Sequence, residues 1–320
     1  MEGLLLAAAA IIVTFNSEAV IGPCLDCLAK MAPDVKPIII DNASTDGTVE
    51  RVRAHVHVIA NAENRGFAAA VNQGISACEA EFLLLLNPDA NLLTGVDALI
   101  GASKQYGLAA GKLLDSNGQA QAGFTIRRLP TPLSLIFELF GINRLWPSNP
   151  VNRRYRYQDR DLDQAGSVEQ PAGAFLMIRR SVWETLQGFD ESFHPVWFED
   201  VDFCKKALDS GYRIEYVPSV QATHQGGHSV GRIPAGCRAL YWCVSLTKYA
   251  SKHFQSAGFR AVCLAVVLSS FPRMVARMIQ DRSLQSVATY SKIVRFAGLC
   301  LLSSQDSVQV RVAARGGRNS

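Results

Sequence analysis

Residues 81–90 read EFLLLLNPDA, an unbroken apolar run, Phe82–Leu86, that stops at Asn87-Pro88-Asp89. A run of strand length without polar alternation belongs to a strand covered on both faces. The polar turn that follows must keep its polar groups outside the core. Toward the N-terminus the pattern repeats. Ala10–Phe15, Lys36–Ile40 (ending at Asp41) and Val56–Ala60 are short apolar or β-rich runs, and segments with helical spacing lie between them: Ser17–Met31, Thr48–Ala54 and Gly66–Ala77. Strands that alternate with helices predict an α/β fold with a mostly parallel central sheet flanked by helices. Such sheets bind ligands beyond the carboxyl ends of their strands. Asn16, Asp41 and Asp89 all fall at such ends, which is the first indication of a site.

The bulk composition agrees with a folded enzyme-sized chain. Of 320 residues, 48% are hydrophobic and 19% charged, which excludes a disordered polar chain. The apolar start, Leu4–Val13, lacks a basic leader and a small-residue cleavage pattern, and it is too short to span a bilayer. It reads as a buried first strand. Eight cysteines are scattered. Cys24 and Cys27 form a C-x-x-C, but no second pair follows at zinc-site spacing, so buried reduced thiols and a cytoplasmic location are the better reading. The net charge of +4 hides an asymmetry: residues 1–253 carry 23 Lys+Arg against 26 Asp+Glu, and residues 254–320 carry 9 against 2. The basic C-terminal segment points to an anionic surface, with membrane lipid first.

Beyond residue 115 the pattern weakens. Residues 116–167 hold Gly and Pro breaks and the cluster Arg153-Arg154-Tyr155-Arg156, and read as loops and an insertion. Gln170–Arg179 predicts a strand, Ser181–Gln187 a short helix, and Phe198–Ser210 a helix ended by Gly211. Arg213–Val217 predicts a further strand, and the chain is helical from Arg238, with apolar stretches at Val262–Phe271 and Phe296–Leu302. The expected organisation is a catalytic domain over 1–253, a basic helical extension over 254–303, and a loose tail over 304–320.

Several groups carry chemistry, each with a plainer alternative. Asp41 and the following NASTDGT offer carboxylates and amides beside a helix N-terminus, suited to a base, a ribose or a phosphate. The alternative is a capped turn with Ser44 as N-cap. Arg65 and Gly66 precede a helix bearing Asn72, where Arg65 can face phosphate and Gly66 permits close backbone approach; an exposed Arg there is otherwise only solvated. Asp89 is placed to bind Mg2+ or Mn2+, which take one or two protein carboxylates and fill their shell with phosphate and water; a simple turn is the alternative. Glu199, Asp200 and Asp202 lie among aromatics, an environment that raises carboxyl pKa values and suits a general base, although helix-dipole stabilisation explains part of the cluster. His224 follows the strand near Val217 and is flanked by Gly226 and Gly227, which strengthens a ligand role over a structural one.

In this order the segments resemble the inverting family 2 glycosyltransferases of GT-A fold, in their rhamnosyltransferase-like branch, over roughly residues 8–255. IIVTFNS (11–17) resembles the family's first strand and base-contacting loop, with Thr14, Phe15 and Asn16. DNASTDGT (41–48) resembles its nucleotide-binding turn, implying donor contacts from Asp41, Asn42, Ser44 and Asp46. NRGFAAAVNQG (64–74) is similar to the next donor segment, with Arg65, Gly66 and Asn72. LLLLNPDA (83–90) resembles the metal-binding Asp-x-Asp motif with Asn87 at its first position. GAFLMIRRSVWETLQGFDESF (173–193) resembles the acceptor side, implying Gly173 and Ala174, and WFEDVDFCKKALDSGYRIEYVPSVQATH (197–224) resembles the catalytic segment, with Trp197 and Phe198 toward the acceptor.

The resemblance implies Asp200 as base with Glu199 beside it, and Asp89 and His224 as ligands of Mg2+ or Mn2+. It implies a nucleotide-sugar donor, dTDP-L-rhamnose first and UDP- or GDP-sugars as alternatives, and a cell-surface glycan or polyprenyl-linked glycan acceptor. The C-terminal helices either lie in the membrane interface, with Arg260, Arg273 and Arg277 at the headgroups, or pack on the catalytic domain or on a second subunit as a homodimer. A nucleotidyltransferase is the nearest rival, but Thr14–Gly22 carries no Gly-rich basic phosphate loop. A non-catalytic glycan-binding module would not need Asp89 and Asp200 together. A nucleic-acid partner is not expected, since basic residues do not interleave with aromatics in residues 1–253.

Overall fold

The structure, a computed structural model, describes residues 7–53, 56–281, 285–303 and 305. The first half of the chain runs β1 (Ala8–Thr14), α1 (Glu18–Met31), β2 (Val35–Asp41), α2 (Thr48–Arg53), β3 (His57–Ala60), α3 (Phe67–Ser76), β4 (Phe82–Leu86), β5 (Ala90–Leu92), α4 (Asp97–Tyr106), β6 (Gly107–Leu114) and β7 (Ile126–Arg127). It continues as α5 (Pro132–Leu139), α6 (Ile142–Leu145), α7 (Pro150–Tyr155), β8 (Gly166–Val168), β9 (Gln170–Pro171), β10 (Phe175–Arg179), α8 (Arg180–Thr185), α9 (Glu199–Asp209), β11 (Arg213–His224), α10 (His228–Gly231), α11 (Ala235–His253), α12 (Ser256–Asp281) and α13 (Gln285–Leu302). These residues form two compact units. One comprises the described residues up to Leu129 with Arg156–Asp190 and Glu199–Gly231. The other comprises Pro130–Tyr155, Glu191–Phe198 and the described residues from Arg232 onward.

The first unit is built on a sheet ordered β3-β2-β1-β4-β10-β6-β11-β5, with β8 beside β11. Its β3-β2-β1-β4 half is parallel, as the alternation of strands and helices predicts. β10 then inserts antiparallel between β4 and β6. The whole sheet is therefore mixed.

Its inner strands are apolar on both faces for a simple reason. Ala9 and Ile11 of β1 and Leu83 and Leu85 of β4 pack on one side with Val71 and Ile75 of α3. Ala8, Ala10, Ile12, Leu84 and Leu86 pack on the other with Ile21, Cys24 and Leu28 of α1. Helix α3 sits close because Gly74 has no side chain: a Cβ there would lie 2.3 Å from Ile40 Cδ1 and 3.0 Å from Ile11 Cγ2.

Three strand expectations are modified. Gln170–Arg179 is split into β9 and β10 by Ala172–Ala174, whose backbone turns toward α9. The strand expected to end at Val217 runs on to His224 after a register shift between Val217 and Gln221. His224 is thus the last residue of a strand, not a loop residue beyond it. The stretch 116–167, expected as loops, includes β7, three short helices and β8. The expected tail over 304–320 lies outside the described residues apart from Gln305. All eight cysteines are free thiols.

In the second unit, α5 starts with a capping box in which Thr131 Oγ1 accepts from the Ser134 N–H and Ser134 Oγ accepts from the Thr131 N–H. Helices α11, α12 and α13 pack together, and α5 lies against α12. Arg273 on α12 donates to the Glu138 carbonyl at 3.0 Å and sits over the Trp242 ring.

Two glycines separate packing from propensity. A Cβ at Gly111 would fall 2.1 Å from the Phe175 ring and 2.8 Å from the Val220 carbonyl, whereas one at Gly101, inside α4, meets nothing within 4 Å. Gly111→Ala should cost about 1–3 kcal/mol by overpacking, and Gly101→Ala should add about 0.5–1 kcal/mol. Urea denaturation of both variants checks the opposite signs.

Candidate active site

The strand ends supply the donor-side groups. Register pairs Thr14 with Asp41, and Thr14 Oγ1 donates to Asp41 Oδ1 at 2.7 Å. Ser44 adds its N–H to Oδ2 (2.8 Å) and its hydroxyl to Oδ1 (2.5 Å). The Asn16 N–H donates to Ser44 Oγ at 2.8 Å, and Asn16 Oδ1 accepts from the Thr45 N–H at 2.7 Å. Asn16 and Ala43 take left-handed backbone (φ 52° and 63°), which turns the two loops onto each other. Ser44 is therefore not a helix cap. Helix α2 begins at Thr48, and Asp46 accepts from the Thr48 N–H at its start (3.1 Å) and from the Glu18 N–H at the start of α1 (3.3 Å).

Asn42 and Gly66 are joined: Asn42 Nδ2 donates to the Gly66 carbonyl at 3.1 Å. Gly66 has φ 83°, a conformation that a side chain would strain. Arg65 is exposed beside it, and Phe15 is half-buried at the end of the first loop. Asn72 is engaged differently. Its amide donates to the Phe189 carbonyl and accepts from the Phe189 N–H, both at 3.0 Å, so it pins α3 to the turn after α8.

The Asn87-Pro88-Asp89 turn brings two distant ligand types together. β5 pairs antiparallel with β11 so that Ala90 faces His224. This sets Asp89 Oδ1 3.5 Å from His224 Nε2, with both side chains buried. The Gly226 N–H donates to Asp89 Oδ2 at 3.1 Å. Asn87 Nδ2 lies 3.3 Å from the same Nε2. On the ring's other side, Nδ1 lies 3.2 Å from Gln121 Oε1, and Gln121 Nε2 donates to the His224 carbonyl at 2.6 Å. An amide oxygen can only accept, so Nδ1 carries the proton and Nε2 presents a lone pair toward Asp89. Phe124 stacks on the ring at 5.1 Å and 14°. Burial pushes the imidazole below its ordinary pKa, against the opposite pull of Asp89.

The base candidate is reached through one short stretch of backbone. The Asn87 N–H donates to the Ala174 carbonyl at 3.0 Å, and the neighbouring Gly173 N–H donates to Asp200 Oδ2 at 3.0 Å. The Val201 N–H donates to Asp200 Oδ1 at 2.8 Å. Gly173 suits this approach, since a Cβ would lie 3.2 Å from Asp200 Cβ. Burial raises the Asp200 carboxyl above its ordinary pKa, opposed by these two N–H groups and by the Arg127 cation. Glu199 is buried, its Oε2 has no hydrogen-bond partner, and its pKa is raised well above the ordinary value by burial first and the Asp200 charge second. Both carboxyls are thus shifted toward the protonated form, Glu199 the further, with Asp200 held back by the two N–H groups and the Arg127 cation.

Trp197 and Phe198 precede α9 with left-handed backbone (φ 79° and 71°), a costly conformation for aromatic residues. They belong to the second unit, where the Phe198 ring packs on Tyr249 at 5.4 Å. That ring is a core group there.

The profile described as Glycosyl transferase family 2 matches residues 9–114. An N-acetylglucosaminyl-diphospho-decaprenol L-rhamnosyltransferase of Mycobacterium tuberculosis is 30% identical over 238 residues, covering 68% of this chain and 76% of that protein. The chain belongs to glycosyl transferase family 2. Rhamnosyltransferase WbbL of Escherichia coli K12 is a further relative of this family 2 enzyme, 26% identical over 172 residues, covering 52% of this chain and 60% of that one. Two solved structures share its GT-A fold. One is GalNAc-T7 with UDP, GalNAc and Mn2+ (TM-score 0.52, 14% identity, 79% of this chain and 52% of that one). The other is the mannosyltransferase PcManGT from Pyrobaculum calidifontis with GDP-Man and Mn2+ (TM-score 0.50, 17% identity, 97% and 86%).

The donor atoms of this family 2 glycosyltransferase fit a divalent cation. Asp89 offers a carboxylate oxygen and His224 an imidazole nitrogen with its tautomer fixed from behind. Among the described residues no group of three or more His, Cys, Asp or Glu converges, so phosphate and water would complete the shell, as hard cations require. Sequence reading missed Gln121, Phe124 and Arg127. All three lie on residues 115–127, which show no periodicity, and an aromatic and an Arg near a Gly are the sole local signal.

Two outcomes test the site. Gln121→Leu should weaken Mn2+ binding, measured with nucleoside diphosphate present, by about 10–100-fold without changing the fold. Because burial raises the Glu199 carboxyl well above its ordinary value of 4.5, its contribution to stability is intact below that pH and is lost as pH rises toward the folded value. Asp200 acts in the same direction. Glu199→Gln should flatten the fall of Tm with rising pH above about 5, and parallel Tm–pH curves would show that Glu199 is ionised in the fold.

Proposed function

We propose that this glycosyltransferase moves L-rhamnose from dTDP-L-rhamnose, with inversion, onto a polyprenyl-diphosphate-linked glycan at the cytoplasmic side of the membrane. The observation that carries the mechanism is the Asp200 carboxylate, fixed by two backbone N–H groups and separated from the Asn87-Pro88-Asp89 turn by only Gly173 and Ala174. The choice of sugar and acceptor is supported by the rhamnosyltransferase relatives, one of which is named for a diphospho-decaprenol acceptor.

In the proposed step Asp200 takes the proton of an acceptor hydroxyl. That oxygen forms a bond to the anomeric carbon. The bond from the anomeric carbon to the diphosphate oxygen breaks, and its electron pair leaves with the nucleoside diphosphate on the opposite face. Protonated Glu199 spares Asp200 a second adjacent negative charge. Arg127 favours ionised Asp200. The strand-end loops, through Thr14, Phe15, Asn16, Asp41, Asn42 and Arg65, hold the nucleoside. Mg2+ or Mn2+, held by Asp89 and His224, supplies Lewis-acid neutralisation of the diphosphate charge when bound.

Asp200→Asn should lower kcat by about 10²–10⁴-fold with nucleotide binding unchanged; near-normal turnover would sink the base assignment. A panel of nucleotide-sugars tests the donor. At about 100 times its Kd, dTDP-L-rhamnose should add about 2.7 kcal/mol of stability. Stabilisation by a UDP- or GDP-hexose alone would replace rhamnose with that sugar.

A further inference from the structure

We propose that the outer face of α12 docks on the surface of an anionic lipid bilayer. Leu264, Leu268, Phe271, Val275 and Ile279 recur at spacings of four, three, four and four residues, which places them on one side of the helix. They are 46%, 49%, 52%, 51% and 73% exposed. The opposite side is covered, with Val262, Cys263, Val266, Ser269 and Ser270 buried within the second unit. A helix on a protein surface ordinarily turns its polar face outward; α12 turns an apolar one outward for about 22 Å, at 1.5 Å per residue.

Arg273 and Arg277 lie on the side of α12 away from this stripe, and Arg260, four residues before Leu264, stands in line with it. Arg260 stands exposed where the stripe begins. Arg273 is turned inward onto the Glu138 carbonyl and the Trp242 ring, so it is not the headgroup contact the sequence implied. Among the described residues, Ser256–Gln280 is the one helix long and apolar enough to cross a membrane. Crossing would strip its buried side from α5, α11 and α13, whereas lying flat exposes only the apolar stripe to lipid.

Charge selects the occupant. The stretches forming the second unit carry 16 Lys+Arg against 4 Asp+Glu, a net of +12, and those forming the first carry 16 against 24, a net of −8. Lys292 and Arg295 of α13 are exposed. An anionic leaflet attracts such a unit. A second copy would set +12 against +12, which disfavours self-pairing through this stripe. The inference deepens the lipid-linked acceptor reading, but vesicle binding needs neither donor nor acceptor, so either can fail alone.

The test is flotation of the full chain with phosphatidylcholine vesicles, with and without phosphatidylglycerol. The expected result is recovery with the anionic vesicles, weakened by salt. Leu268→Glu/Phe271→Glu should lower that recovery about tenfold by removing buried apolar area, while stabilisation by nucleoside diphosphate is retained. Because these side chains are exposed, the milder Leu264→Ser/Leu268→Ser serves as a second variant expected to act in the same direction. Equal recovery of parent and both variants, or no recovery of the parent on anionic vesicles, would overturn the proposal. So would a dimer, by light scattering, that Leu268→Glu/Phe271→Glu splits without changing flotation, since the stripe would then be an interface between copies.

Discussion

A sheet buried on both faces can present polar side chains only where its strands stop, and that constraint organises the catalytic unit. Within β1 and β4 every position before Thr14 packs into one of two cores, so a carboxylate there would be stranded without solvent or partner. Thr14, Asp41 and the Asn87-Pro88-Asp89 turn come at the first positions free of that demand. His224 obeys the same rule from the other direction, as the last residue of a strand that pairs antiparallel with β5. The pairing of Ala90 with His224 brings Asp89 and His224, more than a hundred residues apart, to within 3.5 Å.

Asp200, the proposed base, answers a different requirement. A base must be buried enough to prefer its proton and hydrogen-bonded enough to give it up. Burial supplies the first. The N–H groups of Gly173 and Val201, with the Arg127 cation, supply the second. Glu199 sits in a similar apolar setting, with its Oε2 lacking any such donor, and its pKa is raised well above the ordinary value. Two adjacent carboxyls in one helix turn thus differ in what reaches them from the turn before β10 and from β7.

The parallel half of the sheet was legible because its code is local. Apolar runs of strand length, each ended by a polar turn, placed Asp41 and Asp89 within one residue of where the structure has them. The antiparallel insertion of β10 was not legible, since pairing partners far apart in sequence leave no periodic trace. The strand break at Ala172–Ala174 was hidden for a related reason: an apolar stretch looks continuous even where the backbone turns to meet Asp200. Family motifs named Asn72 and Phe198 as ligand contacts, but the structure commits one to the Phe189 backbone and the other to Tyr249. Side-chain commitments of that kind depend on tertiary neighbours. Gln121, Phe124 and Arg127 act only through where one irregular segment folds back.

That segment has a consequence for how the enzyme can change over generations. Gln121 sets the imidazole, Phe124 stacks on it, and Arg127 biases the base, all within seven consecutive positions. An insertion or deletion there shifts the three together, so the surroundings of His224 and of Asp200 change as a linked pair. Point substitutions can tune either one alone, whereas length variation in this loop must be compatible with both at once.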